Sequence, residues 1–332
     1  MTTPDVSVIV VTFNSEQVLR DCVSALRLAF PRHEIELIVV DNASHDASLD
    51  VIRSMAGNAT IVRNPTNVGF ARAVNAGARL AQGDSLMLLN PDAQLAPGAG
   101  STIVEALDRQ DRVVAPLFVP RGGRRGVVSA GLAPSVRSMA LHYSGLARLG
   151  RRVTGHYAFL HQLRDEFVEV DWVSGACLAI RLDTWAELGG LAEDWFMYGE
   201  DVDLCLRAQN SGRSVVVATA ARVEHEVGSS DGTRSLSANP MWVVNLYAVF
   251  RTHFSPGRAH ALMWRSVVSA GLAARAVAFA LRGWMSRPGA RKPRLVASYA
   301  FGRYALAVAP WKNPTGIADE PLRRTSALDR GV

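Results

Sequence analysis

Apolar runs alternate with helically spaced stretches four times within the first 90 residues, and few folds accommodate that rhythm. Val6-Ser7-Val8-Ile9-Val10-Val11 is nearly continuous in branched residues and ends at Thr12-Phe13-Asn14, as a strand buried on both faces of a parallel sheet does. Ser15 then stands as a helix cap before Val18, Leu19, Cys22, Val23 and Leu26, which share one helical face. Leu37-Ile38-Val39-Val40 repeats the strand, ends in Asp41-Asn42-Ala43-Ser44, and leads into helical residues to about Met55. Thr60-Ile61-Val62, a helix from Phe70 to Leu80, and Ser85-Leu86-Met87-Leu88-Leu89 complete the series. These units predict an α/β, Rossmann-like, mostly parallel sheet flanked by helices, with its ligand off the carboxyl ends of the strands. Thr12 with Asn14, Asp41 with Asn42, and Asn90 with Asp92 would converge there. Neither a G-x-G-x-x-G turn nor a phosphate loop follows the first strand, so side chains, and a metal for any diphosphate, must hold the ligand.

Further along, Trp195-Phe196-Met197-Tyr198-Gly199 runs into Glu200-Asp201-Val202-Asp203, which opens a helix. Acids at a helix start complement its dipole, and that structural use competes evenly here with catalysis. Asp203 lies one turn from Arg207, the spacing of a surface ion pair. Small residues at Ser174-Gly175-Ala176 follow a strand-like Val168 to Val173 and permit close approach of substrate. Trp172 and Trp195, with Tyr198, could stack on sugars, although core packing serves the tryptophans equally well.

The ordered series Val8-Ile9-Val10-Val11-Thr12-Phe13-Asn14, Val39-Val40-Asp41-Asn42-Ala43-Ser44, Asn67-Val68-Gly69-Phe70 with Asn75, and Leu88-Leu89-Asn90-Pro91-Asp92 resembles the family 2 glycosyltransferases. Gly175, Glu200-Asp201-Val202-Asp203 and His225 continue the likeness, which spans about residues 6 to 228 and is closest to the bacterial rhamnosyltransferase branch. The resemblance implies a GT-A fold, inversion at the sugar, and Mn2+ or Mg2+. It implies donor contacts from Thr12, Phe13, Asn14, Asp41, Asn42, Gly69, Asn90, Asp92 and Gly175, with Asp41 on the pyrimidine of a dTDP or UDP sugar. Asp92 and His225 would hold the metal, although Asn90 stands where the family has its first acid. Asp201 would be the catalytic base, with Glu200 in reserve. The Asp41 stretch and the Asn-Pro-Asp stretch also read as simple turns, and a lone histidine is more often structural than a ligand.

Three segments are expected: residues 1–110 for the nucleotide-sugar, 111–230 for acceptor and catalysis, and 231–332 as a basic helical extension. From Arg112 to Arg164 there are nine arginines and no acid, and between Pro120 and Glu166 the βα rhythm stops. That stretch is expected either to cover the acceptor and bind its diphosphate or to be a solvated loop. Residues 251 to 332 carry 14 Lys+Arg against three Asp+Glu, so the body bears 22 against 27. Helices are expected on both sides of Ser255-Pro256-Gly257, with Arg258, Arg265, Arg275 and Arg282 on one third of the second and Leu262, Val268, Leu272 and Phe279 opposite. Such a basic amphipathic helix suits either a membrane surface or a subunit interface. Arg287 to Arg294 is expected as a linker, Leu295 to Val308 as a last short helix, and residues beyond Pro310 as loose. No nucleic-acid motif accompanies the basic residues. Cys22, Cys177 and Cys205 are too far apart for a CxxC site, and Met1 to Asp5 lacks a basic leader, so the expectation is a cytoplasmic protein, peripheral at the inner membrane face. Its acceptor would be a lipid-linked or polymeric glycan.

Overall fold

The computed structural model describes residues 3–119, 129–146, 165–225, 239–254 and 257–312. Its elements begin with β1 (Val6–Thr12), α1 (Glu16–Ala29), β2 (Ile35–Asp41), α2 (Ser48–Met55), β3 (Thr60–Arg63), α3 (Phe70–Ala78) and β4 (Ser85–Leu89). The β1, β2, β3 and β4 pairings are all parallel, in the order β3-β2-β1-β4, as the alternating apolar runs dictate. Val8, Ile9, Val10, Val39, Met87 and Leu88 are buried, each gaining about 1.5–3 kcal/mol by leaving water. Ser15 makes no side-chain cap to α1; its hydroxyl bonds Phe13 instead.

The sheet then becomes mixed. After β5 (Ala93–Leu95), α4 (Ala99–Arg109) and β6 (Arg112–Val119) come β7 (Ala130–Gly131), α5 (Val136–Ser144), β8 (Phe167–Val170), β9 (Trp172–Val173), β10 (Cys177–Arg181), α6 (Leu182–Leu188), α7 (Glu200–Asn210) and β11 (Ser214–His225). Strand β10 lies antiparallel between β4 and β6, β11 runs parallel to β6, and β5 and β8 close on β11 antiparallel. The expected strand from Val168 to Val173 is divided at Asp171: β8 joins the large sheet, while β9 forms a ribbon with β7. The Asp171 carboxylate accepts from the Ala133 N–H at 2.7 Å and from Gln209 at 3.3 Å, which fixes the break.

Residues 1–133 and 145–235 form one compact unit; residues 134–144 and 236–332 form a second. Most of the Arg-rich stretch lies outside the described residues; within it, 136–144 is helical.

The second unit comprises α5, α8 (Met241–Phe254), α9 (Arg258–Trp284) and α10 (Pro288–Ala307). Trp264 is fully buried, stacks on Phe250 at 5.3 Å and donates its indole N–H to the Pro134 carbonyl at 2.6 Å. Gly271 lets α5 approach α9, since a Cβ there would lie 2.2 Å from the Tyr143 ring. Two expectations are corrected here. The segment from Pro288 is helical rather than a linker, with proline in the first turn, where its missing N–H costs nothing. The α9 arginines do not oppose Val268 and Leu272. At about 100° per residue they share one side with them, and Arg265, Val268 and Leu272 are all buried. Arg265 donates to the carbonyls of Val308, the cap of α10, and of Ala309 and Lys312 just past it. Arg275 bonds His142 at 2.7 Å and lies over the Tyr143 ring. The outward side of α9 is therefore the apolar one. By length and composition alone this helix is long and apolar enough to cross a membrane.

Candidate active site

At the carboxyl ends of β1 and β2 the backbone does the first part of the work. The Asn42 N–H reaches the Thr12 carbonyl at 2.8 Å, and Thr12 pairs in register with Asp41. Asn14, at φ 51°, crosslinks the two loops: its N–H meets the Ser44 hydroxyl at 3.0 Å, and its Oδ1 accepts from the His45 N–H at 2.8 Å. Asp41 is fully buried, accepts from the Ser44 N–H at 3.2 Å and lies 3.9 Å from Arg63 Nε. The turn anticipated as its structural use is therefore present. Thr12 Oγ1 is buried without a hydrogen-bond partner, while Phe13 beside it is exposed. An unpartnered hydroxyl at a strand end is a group left for a ligand.

Asn42 turns its side chain to structure. It donates to the Gly69 carbonyl at 3.2 Å and accepts from Asn64 at 2.8 Å. Gly69 sits at φ 87°, and a Cβ there would come 2.4 Å from the Phe196 carbonyl oxygen, to which the Phe70 N–H donates at 2.9 Å. Asn75 adds a second brace, donating to the Leu191 carbonyl at 2.8 Å and accepting from the Leu191 N–H at 3.0 Å. The segment from Leu191 to Tyr198 is thus fastened to α3. Trp195 is buried in it, whereas Phe196, Met197 and Tyr198 are exposed; Trp172 is buried in β9.

The acids meet through the turns beside β4 and β10. The Asn90 N–H donates to the Ala176 carbonyl at 2.8 Å, and the neighbouring Gly175 N–H donates to Asp201 Oδ2 at 3.0 Å. Asn90 also closes a turn, its carbonyl accepting from the Ala93 N–H at 3.0 Å. Asp92 is buried and lies 3.2 Å from His225 Nε2, because β5 and β11 pair Ala93 with His225. Positions 92 and 201 therefore belong to one end of the sheet, joined by two hydrogen bonds through Pro91, Asn90, Ala176 and Gly175.

Glu200 and Asp201 are adjacent acids with different surroundings. Glu200 is buried with Oε2 unpartnered, and burial together with the Asp201 charge pushes its carboxyl up to about 8. Asp201 is also raised by burial, but the N–H groups of Gly175 and Val202 hold its charge. Asp201 keeps a partly exposed edge. Of the one proton this pair retains near neutrality, Glu200 is the better holder. Asp203, expected on the surface, is buried against Arg207 at 2.7 Å, and Arg207 also donates to the Leu188 and Gly190 carbonyls.

Among the described residues no cluster of three or more ligand-type side chains exists. Asp92 and His225 offer a carboxylate and an imidazole side by side, with His225 Nδ1 buried and unpartnered. That donor set fits a divalent ion whose remaining ligands come from a substrate diphosphate, not a site closed by protein.

Comparison with known proteins bears directly on this arrangement. Residues 7–168 match the family described as Glycosyl transferase family 2, and residues 142–312 match Glycosyl transferase family group 2. The chain belongs to the family 2 glycosyltransferases. This glycosyltransferase is 29% identical over 246 residues to N-acetylglucosaminyl-diphospho-decaprenol L-rhamnosyltransferase of Mycobacterium tuberculosis, covering 68% of this chain and 77% of that one. Its fold is similar to the mannosyltransferase PcManGT from Pyrobaculum calidifontis in complex with GDP-Man and Mn2+, with TM-score 0.54 and 16% identity over 93% of this chain and 88% of that one. GalNAc-T7 with UDP, GalNAc and Mn2+ is similar too, with TM-score 0.58 and 16% identity over 82% of this chain and 51% of that one. These likenesses establish the GT-A fold.

Proposed function

We propose that this glycosyltransferase inverts the sugar it moves, taking L-rhamnose from dTDP-rhamnose to a lipid-linked or polymeric glycan acceptor at the cytoplasmic face of the cell membrane. The donor and acceptor classes are supported by the identity to the mycobacterial rhamnosyltransferase, whose name specifies a diphospho-decaprenol acceptor. The observation carrying the mechanism is the Gly175 N–H on Asp201 Oδ2 at 3.0 Å beside a Glu200 that keeps its proton. Asp201 is then the charged member of the pair and accepts the proton of the acceptor hydroxyl as that oxygen attacks the anomeric carbon. The bond from that carbon to the diphosphate oxygen breaks on the opposite face, and its electrons leave with the diphosphate. A divalent ion held by Asp92 and His225 would supply positive charge to that diphosphate. Residues 1–110 serve the donor, 111–230 the acceptor and catalysis, and 231–332 the attachment of the enzyme to its working surface. Thr12 and Asp41 face the nucleotide, Phe13 and Tyr198 the sugar or acceptor.

Asp201→Asn tests this reading. The variant is expected to retain manganese-dependent thermal protection by dTDP-sugar while transfer falls by at least about 1,000-fold. Unchanged transfer would remove Asp201 as the base. In a panel of UDP, dTDP and GDP sugars, protection by GDP sugars alone would overturn the donor class. Binding without turnover of any donor, with any metal, would mark a binding module.

A further inference from the structure

Residues 232–318 contain 12 Lys+Arg and no Asp or Glu, and this acid-free stretch holds α8, α9 and α10. Its cations are not evenly spread. Arg265 and Arg275 are spent inside the helical unit on carbonyls and rings. Arg287, Arg291, Lys292 and Arg294 crowd the exposed turn between α9 and α10 and the first turns of α10. The outward side of α9 runs through Met263, Ala270, Ala273, Val277, Leu281 and Trp284 without a charge. With the exposed Ser266 between Met263 and Ala270, these positions recur every three or four residues, so they form one uncharged stripe. Trp284 is 74% exposed at its end, and Tyr299 is 65% exposed on α10. Beside Tyr299 a groove of about 540 Å3 is lined by Ser286, Arg291, Lys292, Leu295, Val296 and Tyr299.

We propose that the α9–α10 hairpin docks flat on an anionic lipid surface, with the α9 stripe and Trp284 in the acyl boundary and the cations at the hairpin turn on the lipid phosphates. An exposed apolar stripe ending in a tryptophan, beside a cluster of cations, has the chemistry of an interfacial helix. Charge decides among occupants. A second copy would bring another acid-free surface against this one and repel it, whereas anionic lipid complements it. Spanning is disfavoured because Arg265 and Arg275 lie along α9 with partners inside the unit that a bilayer would have to admit. The proposal rests on the lipid-linked reading for its purpose, but the binding itself is measurable without turnover.

The experiment is flotation of the full-length enzyme with vesicles of phosphatidylglycerol and phosphatidylcholine against vesicles of phosphatidylcholine alone. Binding is expected only to the anionic vesicles and should weaken as salt rises. Arg291→Gln with Lys292→Gln should weaken it about 30-fold. The pair Leu281→Ser and Trp284→Ser should weaken it about tenfold or more while leaving the salt dependence unchanged. All four substitutions should leave manganese-dependent protection by the nucleotide-sugar unaltered, which separates a docking defect from a misfolded protein. Equal binding to both vesicle types overturns the proposal. So does a dimer in light scattering that Leu281→Ser with Trp284→Ser dissolves, and so does protein that neither salt nor alkaline carbonate releases from membranes. Vesicle binding with no sugar transfer would instead count against the glycosyl-transfer reading alone.

Discussion

Glu200 shows how a single side chain sets a pH dependence. The folded enzyme holds its proton up to about pH 8, whereas an unfolded chain gives it up near 4.5. Between those values the folded state binds more protons, so stability falls as pH rises, and above about 8 the loss is complete. Glu200→Gln removes this contribution: thermal melts should show a flatter pH profile, with the variant more stable than the parent by a few kcal/mol, on the order of the shift, above pH 8. A profile unchanged by the substitution would mean that Glu200 is ionised in the fold. Gly69 makes a second residue-scale case. At φ 87° and with a would-be Cβ 2.4 Å from the Phe196 oxygen, Gly69→Ala should cost about 1–3 kcal/mol and push away the Phe196–Tyr198 segment. The expected readouts are a lower Tm and a raised acceptor KM with donor binding retained. The acid pair was visible in the sequence as chemistry without a division of labour. That division depends on the Gly175 N–H, 26 residues away, which no local pattern encodes.

Helix α7 carries those acids and owes its position to the buried Asp203–Arg207 pair. Spacing alone announced the pair but placed it on the surface, because a four-residue interval is the same on either side of a helix. In the fold Arg207 ties α7 to the end of α6 through the Leu188 and Gly190 carbonyls. Arg207→Met should therefore destabilise by about 3–5 kcal/mol by taking the guanidinium away from the buried Asp203 carboxylate. Asp203→Leu added to it should recover part of that loss in denaturant melts; no recovery would assign the cost to the two carbonyls. Helix α9 teaches the same lesson on a larger element. Its arginines and its apolar residues were both legible, but they were set on opposite sides, whereas at about 100° per residue they share one, and that side is buried. The carbonyls just past α10 that Arg265 satisfies lie more than 40 residues on, and they give buried arginine a reason that helical periodicity does not contain.

At the scale of the molecule, the sheet-containing unit and the helical unit each have a core of their own. Trp264→Ala, which empties the centre of the helical core, should cost that unit about 3–5 kcal/mol. Hydrogen exchange is expected to quicken in α8, α9 and α10 while β1 and β4 stay protected; equal quickening in both would show that the two units unfold as one. The sequence by itself determined the βα rhythm of the first 90 residues, the polar strand ends and the family. Those follow from branched residues, helical spacing and turn chemistry within a few positions of one another. Tertiary structure alone decided that β10 slips antiparallel between β4 and β6, that Asp92 meets His225, which of two adjacent acids keeps a proton, and which side of α9 faces out. Each of these depends on segments scores of residues apart, and their pairing is settled by what the whole chain can bury and satisfy at once.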